Sequence, residues 1–192
     1  MMIVGSTEQA EAALRAGEIA CPDCSARLRP YGHARTRTVR GLGDGRLTAR
    51  PRRARCQGCD RTHVLLPAAL SARRADAVEV IGTALAAKAA GSGYRTIAAR
   101  LGRPFSTVRR WLRRVPQPHA RWLYEQGVQH AFRLDPDILA RPKPWPSMLG
   151  WGLNLLAGAA LAYQARLDSD LPPWTLIGLF TGGHLLSGPL RT

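Results

Sequence analysis

The sequence predicts an α+β chain, mostly α: a small β module held by cysteines, then a trihelical unit, then a helical C-terminal lobe. Three observations carry this prediction. The four cysteines form two C-x-x-C pairs, Cys21/Cys24 and Cys56/Cys59, on either side of a strand-like segment. From residue 93 to 115 apolar residues recur at helical spacing around a Gly-Arg-Pro turn. Beyond Pro116 two apolar runs are separated by Pro- and Gly-rich breaks. The predicted divisions are an N-terminal helix over 1–20, the cysteine module over 21–67, the trihelical unit over 72–116 and the helical region over 117–192.

The N-terminal helix is predicted from Ser6 and Gln9, which have capping-box spacing, and from Gly17, which suits a left-handed C-terminal cap. No basic region leads into an apolar stretch, so the segment does not read as a signal peptide. The expected location is cytoplasmic, where a reducing environment disfavours structural disulfides.

In the cysteine module 31 residues separate the two C-x-x-C pairs. Two residues between thiolates let a tight turn present both sulfurs to one metal, and two such turns complete a tetrahedral four-sulfur site. The segment between them reads as strands: "ARTRTVRG" alternates, "GLGDG" is a turn, and "RLTARPRRARC" returns to the second pair, with Pro51 favouring an edge position. "RTHVLLP" is available as a third strand. The module holds few large apolar residues, so metal binding must supply folding energy. These features define a zinc ribbon with one Zn2+ per chain on Cys21, Cys24, Cys56 and Cys59. Iron is the rival metal and a thioredoxin-like redox pair the rival function. With four thiolates present, His33 and His63 read as ordinary surface or packing histidines.

Charge gives the module a second meaning. The 192 residues include 28 Lys or Arg against 13 Asp or Glu, for a net +15, and the sequence pI is about 11.3. Residues 1–20 sum to −2, 21–66 to +8, 67–116 to +8 and 117–192 to +1. Such an excess implies a polyanion partner, nucleic acid first, bound between Cys21 and Pro116. Arg52, Arg53, Arg55 and Arg61 could offset the formal −2 of a zinc tetrathiolate, but the ribbon has eleven arginines. The surplus is expected to point outward, toward phosphate, and Arg52 and Arg53 are the ribbon's candidate DNA contacts.

The stretch "GYRTIAARLGRPFSTVRRWLRRV" reads as helix, turn, helix. Ile97, Ala98 and Leu101 form the buried side of the first helix, and Gly102 ends it. Pro104 stands at the start of the second, whose Val108, Trp111, Leu112 and Val115 make one apolar stripe. Upstream, Val78, Ile81 and Leu85 mark a supporting helix. Ala98, Gly102 and Val108 match the helix-turn-helix pattern, with Ile97, Leu101 and Trp111 in its other apolar positions. The outward residues Ser106, Thr107, Arg109, Arg110, Arg113 and Arg114 suit a major groove, where arginine reads guanine or holds phosphate. Arg95 and Arg103, beside the turn, are expected to grip the DNA backbone.

The order of these parts, "CPDC", "RPRRARCQGC" and "THVLLP" ahead of the trihelical unit, resembles the N-terminal DNA-binding region of some bacterial insertion-sequence transposases. It is more similar still to a bacterial family of zinc-ribbon and helix-turn-helix proteins of unknown function that lack a transposase core. The resemblance covers about residues 15–116. It implies sequence-specific binding to double-stranded DNA by a transposon-associated or transcriptional regulatory factor. An accessory or truncated transposase subunit acting with a catalytic partner is one alternative, and an RNA-binding zinc ribbon is the other.

Beyond Pro116 the chain departs from the transposase plan. Its acidic residues there are Glu125, Asp135, Asp137, Asp168 and Asp170. They read as helix-end and turn residues, so no catalytic site is expected. "PQPHARWLYEQGVQHAF" looks helical and "RPKPWP" is a breaker and linker. The apolar runs from Met148 to Tyr163 and from Pro172 to Leu190 are too short or too broken for the about 20 apolar residues of a membrane span. They are expected to form helices that support a homo-oligomer or a protein partner.

Overall fold

A computed structural model describes residues 1–140 and 144–187. Within them the architecture is α+β: eight helices, a four-stranded sheet and a two-stranded sheet. The first three residues of the predicted RPKPWP break, 141–143, and the final residues 188–192, with Pro189, lie outside the described residues.

The chain opens with β1 (Met2–Val4), which no sequence signal marked, and then α1 (Thr7–Ala16). Ser6 caps α1 through Oγ, which accepts the Gln9 N–H at 3.1 Å, and Gly17 closes it at φ 69°. Next come β2 (Leu28–His33), β3 (Arg37–Arg40), β4 (Arg46–Ala49), β5 (Arg52–Cys56) and β6 (Thr62–Pro67). The larger sheet runs β1-β6-β5-β2, with β1 parallel to β6 and the other pairs antiparallel. β3 and β4 form a separate hairpin, Val39 opposite Leu47.

This corrects the reading of "RLTARPRRARC" as one edge strand. Proline carries no N–H for a ladder, and the segment breaks at Arg50 and Pro51. Its first half joins the hairpin as β4, and its second half becomes β5, a central strand between β6 and β2.

α1 covers one face of the larger sheet. Ala10 and Leu14 pack there with Leu28, Ala54, Leu65, Cys21 and Cys56 in a small core of their own. The helices follow: α2 (Val78–Ala89), α3 (Tyr94–Leu101), α4 (Phe105–Leu112), α5 (Gln117–Leu134), the short α6 (Asp137–Ala140), α7 (Met148–Leu167) and α8 (Pro173–Phe180). Gly102 ends α3 at φ 59°, and Pro104 precedes α4 as its N-cap. Asp135 and Asp168 stand at the ends of α5 and α7, the helix-end positions expected for them.

The second core is continuous from the hairpin to residue 186. Val39 and Leu66 meet Ile81, Leu85, Ile97, Val108 and Trp111 there, and so do Leu123, Leu156, Leu176 and Leu186. The segment after Pro116 therefore shares its core with α2, α3 and α4. Its apolar runs are consumed in packing against α2, α5 and one another, which hydrophobic burial favours over exposure. No helix among the described residues is long and apolar enough to cross a membrane.

Candidate metal centre and basic helix face

The two C-x-x-C turns have the same construction. Cys21 leads the first, at the edge of the α1-covered core, and Cys56 leads the second at the end of β5. After each pair the chain turns through a left-handed residue, Ser25 at φ 59° and Asp60 at φ 62°. In the first turn the Ser25 N–H donates to the Cys21 carbonyl at 2.9 Å, and at the second the Cys56 N–H donates to the Arg61 carbonyl, also at 2.9 Å. A side chain at Gly58 would meet Ala26 Cβ at 2.8 Å, so the second turn needs glycine for space.

These turns bring four sulfurs from both ends of the module together. Cys21 Sγ lies 3.7 Å from Cys59 Sγ, Cys24 Sγ lies 3.3 Å from Cys56 Sγ, and all four sit within 4.8 Å of one another. All four thiols are free. A metal with metal–sulfur bonds of about 2.3 Å separates its sulfurs by about 3.8 Å, whereas a disulfide needs about 2.05 Å. The cluster therefore fits a closed four-sulfur site that could hold one metal ion.

The local electrostatics favour thiolate at one end. The Cys59 and Gly58 N–H groups donate to Cys56 Sγ at 3.4 and 3.3 Å. Led by the Cys59 donor and opposed by burial, they lower the Cys56 thiol to about 6. Cys59 moves the other way: the Arg61 N–H favours its thiolate, but burial and the sulfurs of Cys24, Cys56 and Cys21 outweigh it and push the thiol up to about 12. Four crowded sulfurs cannot all ionise without a cation between them, which is the work a divalent metal does.

His63 has more contact with this cluster than a packing residue requires. It is buried on β6, with Nε2 3.4 Å from Cys21 Sγ and 3.8 Å from Asp23 Oδ2. Cys21, Asp23 and His63 are close enough to form a secondary ligand group, while Arg61 holds Asp23 at 3.1 Å. The inward register of His63 on the strand that follows Cys59 is the signal that could have singled it out. His33 stays exposed, beside Arg52 at 3.2 Å.

α4 presents the other feature. Val108, Trp111 and Leu112 are buried, and Arg109, Arg110, Arg113, Arg114 and Ser106 are exposed; Thr107 is half-buried. Among the described residues none of these four arginines makes an ion pair. With Phe105 and Ser106 they line an open groove of about 500 Å3. Arg74, unmarked in the sequence, joins them: burial first, then the charges of Arg114 and Arg110, pull its proton affinity down. Arg95 is exposed as well, with its guanidinium 5.9 Å from the Phe105 ring.

The predicted basic residues are not all free. Arg103 is corrected from a backbone-gripping role: its side chain is 6% exposed and bonded inward. Its Nε donates to Asp76 Oδ1 at 2.7 Å, and its two amino groups donate to the Gly41 and Leu101 carbonyls. Arg40 meets the other Asp76 oxygen at 2.8 Å. A carboxylate as buried as Asp76 requires cations, and that demand turns Arg103 away from solvent. Arg52 is partly committed too, through a 2.8 Å ion pair with Glu11 on α1. Arg53 makes no ion pair among the described residues.

The four cysteines and most of α4 fall in one recognised sequence unit. A DUF6431 domain, described as a domain of unknown function, covers residues 21–111. The matched span runs from the first cysteine to Trp111, so the DUF6431 domain contains all four cysteines, the Asp76 clamp and most of α4. It stops short of Arg113 and of the helices after α4. No curated protein and no solved structure matches the chain.

Proposed function

We propose that this protein binds double-stranded DNA sequence-specifically, with α3 and α4 acting as a helix-turn-helix and the cysteine module acting as a zinc ribbon. The observation that carries the reading is the outer face of α4: Arg109, Arg110, Arg113 and Arg114 stand side by side, exposed and without an acidic partner among the described residues. Adjacent like charges repel, so a chain that holds them together on a helix gains most from a polyanion laid across them. A helix is the right width for the major groove, and arginine is the side chain that bonds guanine in bidentate fashion.

In this reading Val108, Trp111 and Leu112 anchor α4, while Ser106, Thr107, Arg109, Arg110 and Arg113 approach the bases. Arg95, Arg114 and Arg74 hold phosphates, and Arg52 and Arg53 extend the grip to the ribbon. Zn2+ fits the four thiolates as a structural ion, because four protein ligands leave no position for substrate or water. The protein is a binding factor, transcriptional or transposon-associated, and not itself an enzyme.

Selection of bound duplexes from a random library with the full chain tests this. A single preferred sequence is expected, and Arg109→Ala, Arg110→Ala or Arg113→Ala should weaken binding by about 1–3 kcal/mol and relax preference at one base position. Arg53→Ala should weaken all duplexes alike. If all three helix variants keep the parent preference, α4 is not the reading element.

A further inference from the structure

We propose that the sheet face opposite α1 binds an unpaired nucleobase, on a DNA single strand continuous with the duplex held by α4. This rests on the DNA-binding reading above.

The face is built by register. On β2 and β5 Leu28 pairs with Cys56 and Pro30 with Ala54, while Arg29 pairs with Arg55. Alternate residues share a side of a sheet. Leu28, Ala54, Cys56 and Leu65 are buried against Ala10 and Leu14 of α1. Arg29, Tyr31, Arg53 and Arg55 consequently fall on the opposite side. β2 is an edge strand, and residues 29–33 on it are all exposed.

Two features of this face are open to a ligand. Arg29 stands directly opposite Arg55, and like charges so placed destabilise a strand pair. Asp60 offsets part of this through its ion pair with Arg55. Arg29 and Arg53 have no ion pair among the described residues, and Arg53 Nε is buried without a hydrogen-bond partner. The second feature is Tyr31, whose ring packs against Arg55 Cζ at 5.3 Å and Arg53 Cζ at 5.9 Å yet stays 45% exposed.

An aromatic ring seated on guanidiniums offers a flat surface amid positive charge. Phosphate alone would use the arginines and leave the ring in water. An unpaired nucleotide uses both, since its base stacks on an aromatic ring while its phosphate meets arginine, and the stacking tolerates any base. Within a duplex the π-faces are already stacked, so the ring selects a single strand. The surface is tied to α4 through the packed core, which Leu66 of β6 enters, and through Asp76, which joins Arg40 of β3 to Arg103 beside α4. The DNA that would engage both surfaces is a duplex that ends, opens or carries an overhang.

The test uses the full-length protein and three DNAs: a blunt duplex of the selected site, the same duplex with a short single-stranded overhang carrying 2-aminopurine, and that duplex with an RNA overhang. The DNA overhang should bind more tightly than the blunt duplex, with 2-aminopurine fluorescence quenched. Tyr31→Ala should remove that advantage, about tenfold, and the quenching, with blunt-duplex affinity retained; Tyr31→Phe should keep both. No overhang advantage, an advantage that survives Tyr31→Ala, equal weakening of blunt and overhang duplexes by Tyr31→Ala, or preference for the RNA overhang would each overturn the proposal while leaving duplex recognition by α4 intact. Absence of binding to every duplex would overturn the DNA-binding reading itself, and this proposal with it.

Discussion

At the scale of single residues, Asp76 shows how a buried charge shapes its surroundings. It is 2% exposed, and Arg40 and Arg103 reach its two oxygens from the hairpin and from the turn before α4. Removing Asp76 leaves the buried Arg103 guanidinium without its carboxylate, while Arg40 still reaches water. Asp76→Ala should therefore cost about 3–5 kcal/mol, read from urea denaturation. A loss below about 1 kcal/mol, the size of an exposed ion pair, would show that the clamp is dispensable. His119 and His130 are the second case. Each donates from Nε2 to a carbonyl, Leu185 at 3.2 Å and Phe180 at 3.3 Å, and so secures the end of the described chain to α5. Burial is the main reason both rings hold protons less tightly than the ordinary 6.5. His119 Nδ1 is buried with no acceptor to receive a second proton. The unfolded chain thus takes up protons first as pH falls. This contribution to stability is complete above about 6.5 and declines through that value toward the lower folded ones. Melting temperature should drop between pH 7 and pH 5, and the double variant His119→Gln/His130→Gln should flatten that slope; an unchanged slope would refute the assignment.

At the scale of elements, α5 and α7 are held by an unusually close approach. Gly152 faces Tyr124, Gly127 faces Leu155, and Arg166 reaches the Leu134 carbonyl, so the two helices run in the same direction. A Cβ on Gly152 would come within 2.8 Å of the Tyr124 backbone nitrogen, and one on Gly127 within 2.8 Å of Leu155 Cβ. Backbone cannot yield as a flexible side chain can. Gly152→Ala should destabilise the fold by about 1–3 kcal/mol through overpacking, although alanine is the better helix former. A thermal shift toward higher stability would mean the helices can separate at no cost. α4 had a local signature because its apolar stripe and its turn are both set by residues within ten positions of one another. The parallel α5–α7 pair had none, because the glycines that define it belong to segments joined through α6 and the residues around it.

At the scale of the whole molecule, two cores divide the labour. The small one contains α1, Cys21 and Cys56, and the large one runs from the hairpin through every helix from α2 to α8 except α6. So few apolar residues serve the small core that the four-sulfur site is expected to close it. Elemental analysis should find one metal ion per chain, with zinc expected. Cys56→Ser or a strong chelator should remove it and unfold the sheet, while most of the helical circular dichroism persists because the large core contains no metal ligand. Metal-free protein that melts at the same temperature would refute a structural role.

The sequence by itself determined whatever depends on neighbours along the chain. It marked the capped α1, both C-x-x-C turns, the β3–β4 hairpin, the α3–Gly102–α4 turn and the apolar stripe of α4, each set by spacing within a dozen residues. It also marked the placement of surplus positive charge before Pro116, since charge is additive along a chain. Tertiary structure decided what depends on partners far apart. Only the fold pairs β1 with β6, splits β4 from β5 at Pro51, sets His63 against Cys21 and draws Arg103 onto Asp76. Only the fold merges the C-terminal helices with α2 into one core and puts Tyr31 over Arg53 and Arg55. The physical reason is that burial and pairing reward contact regardless of separation in sequence. An arginine reads the same in a string of letters whether a buried carboxylate has claimed it or water still surrounds it.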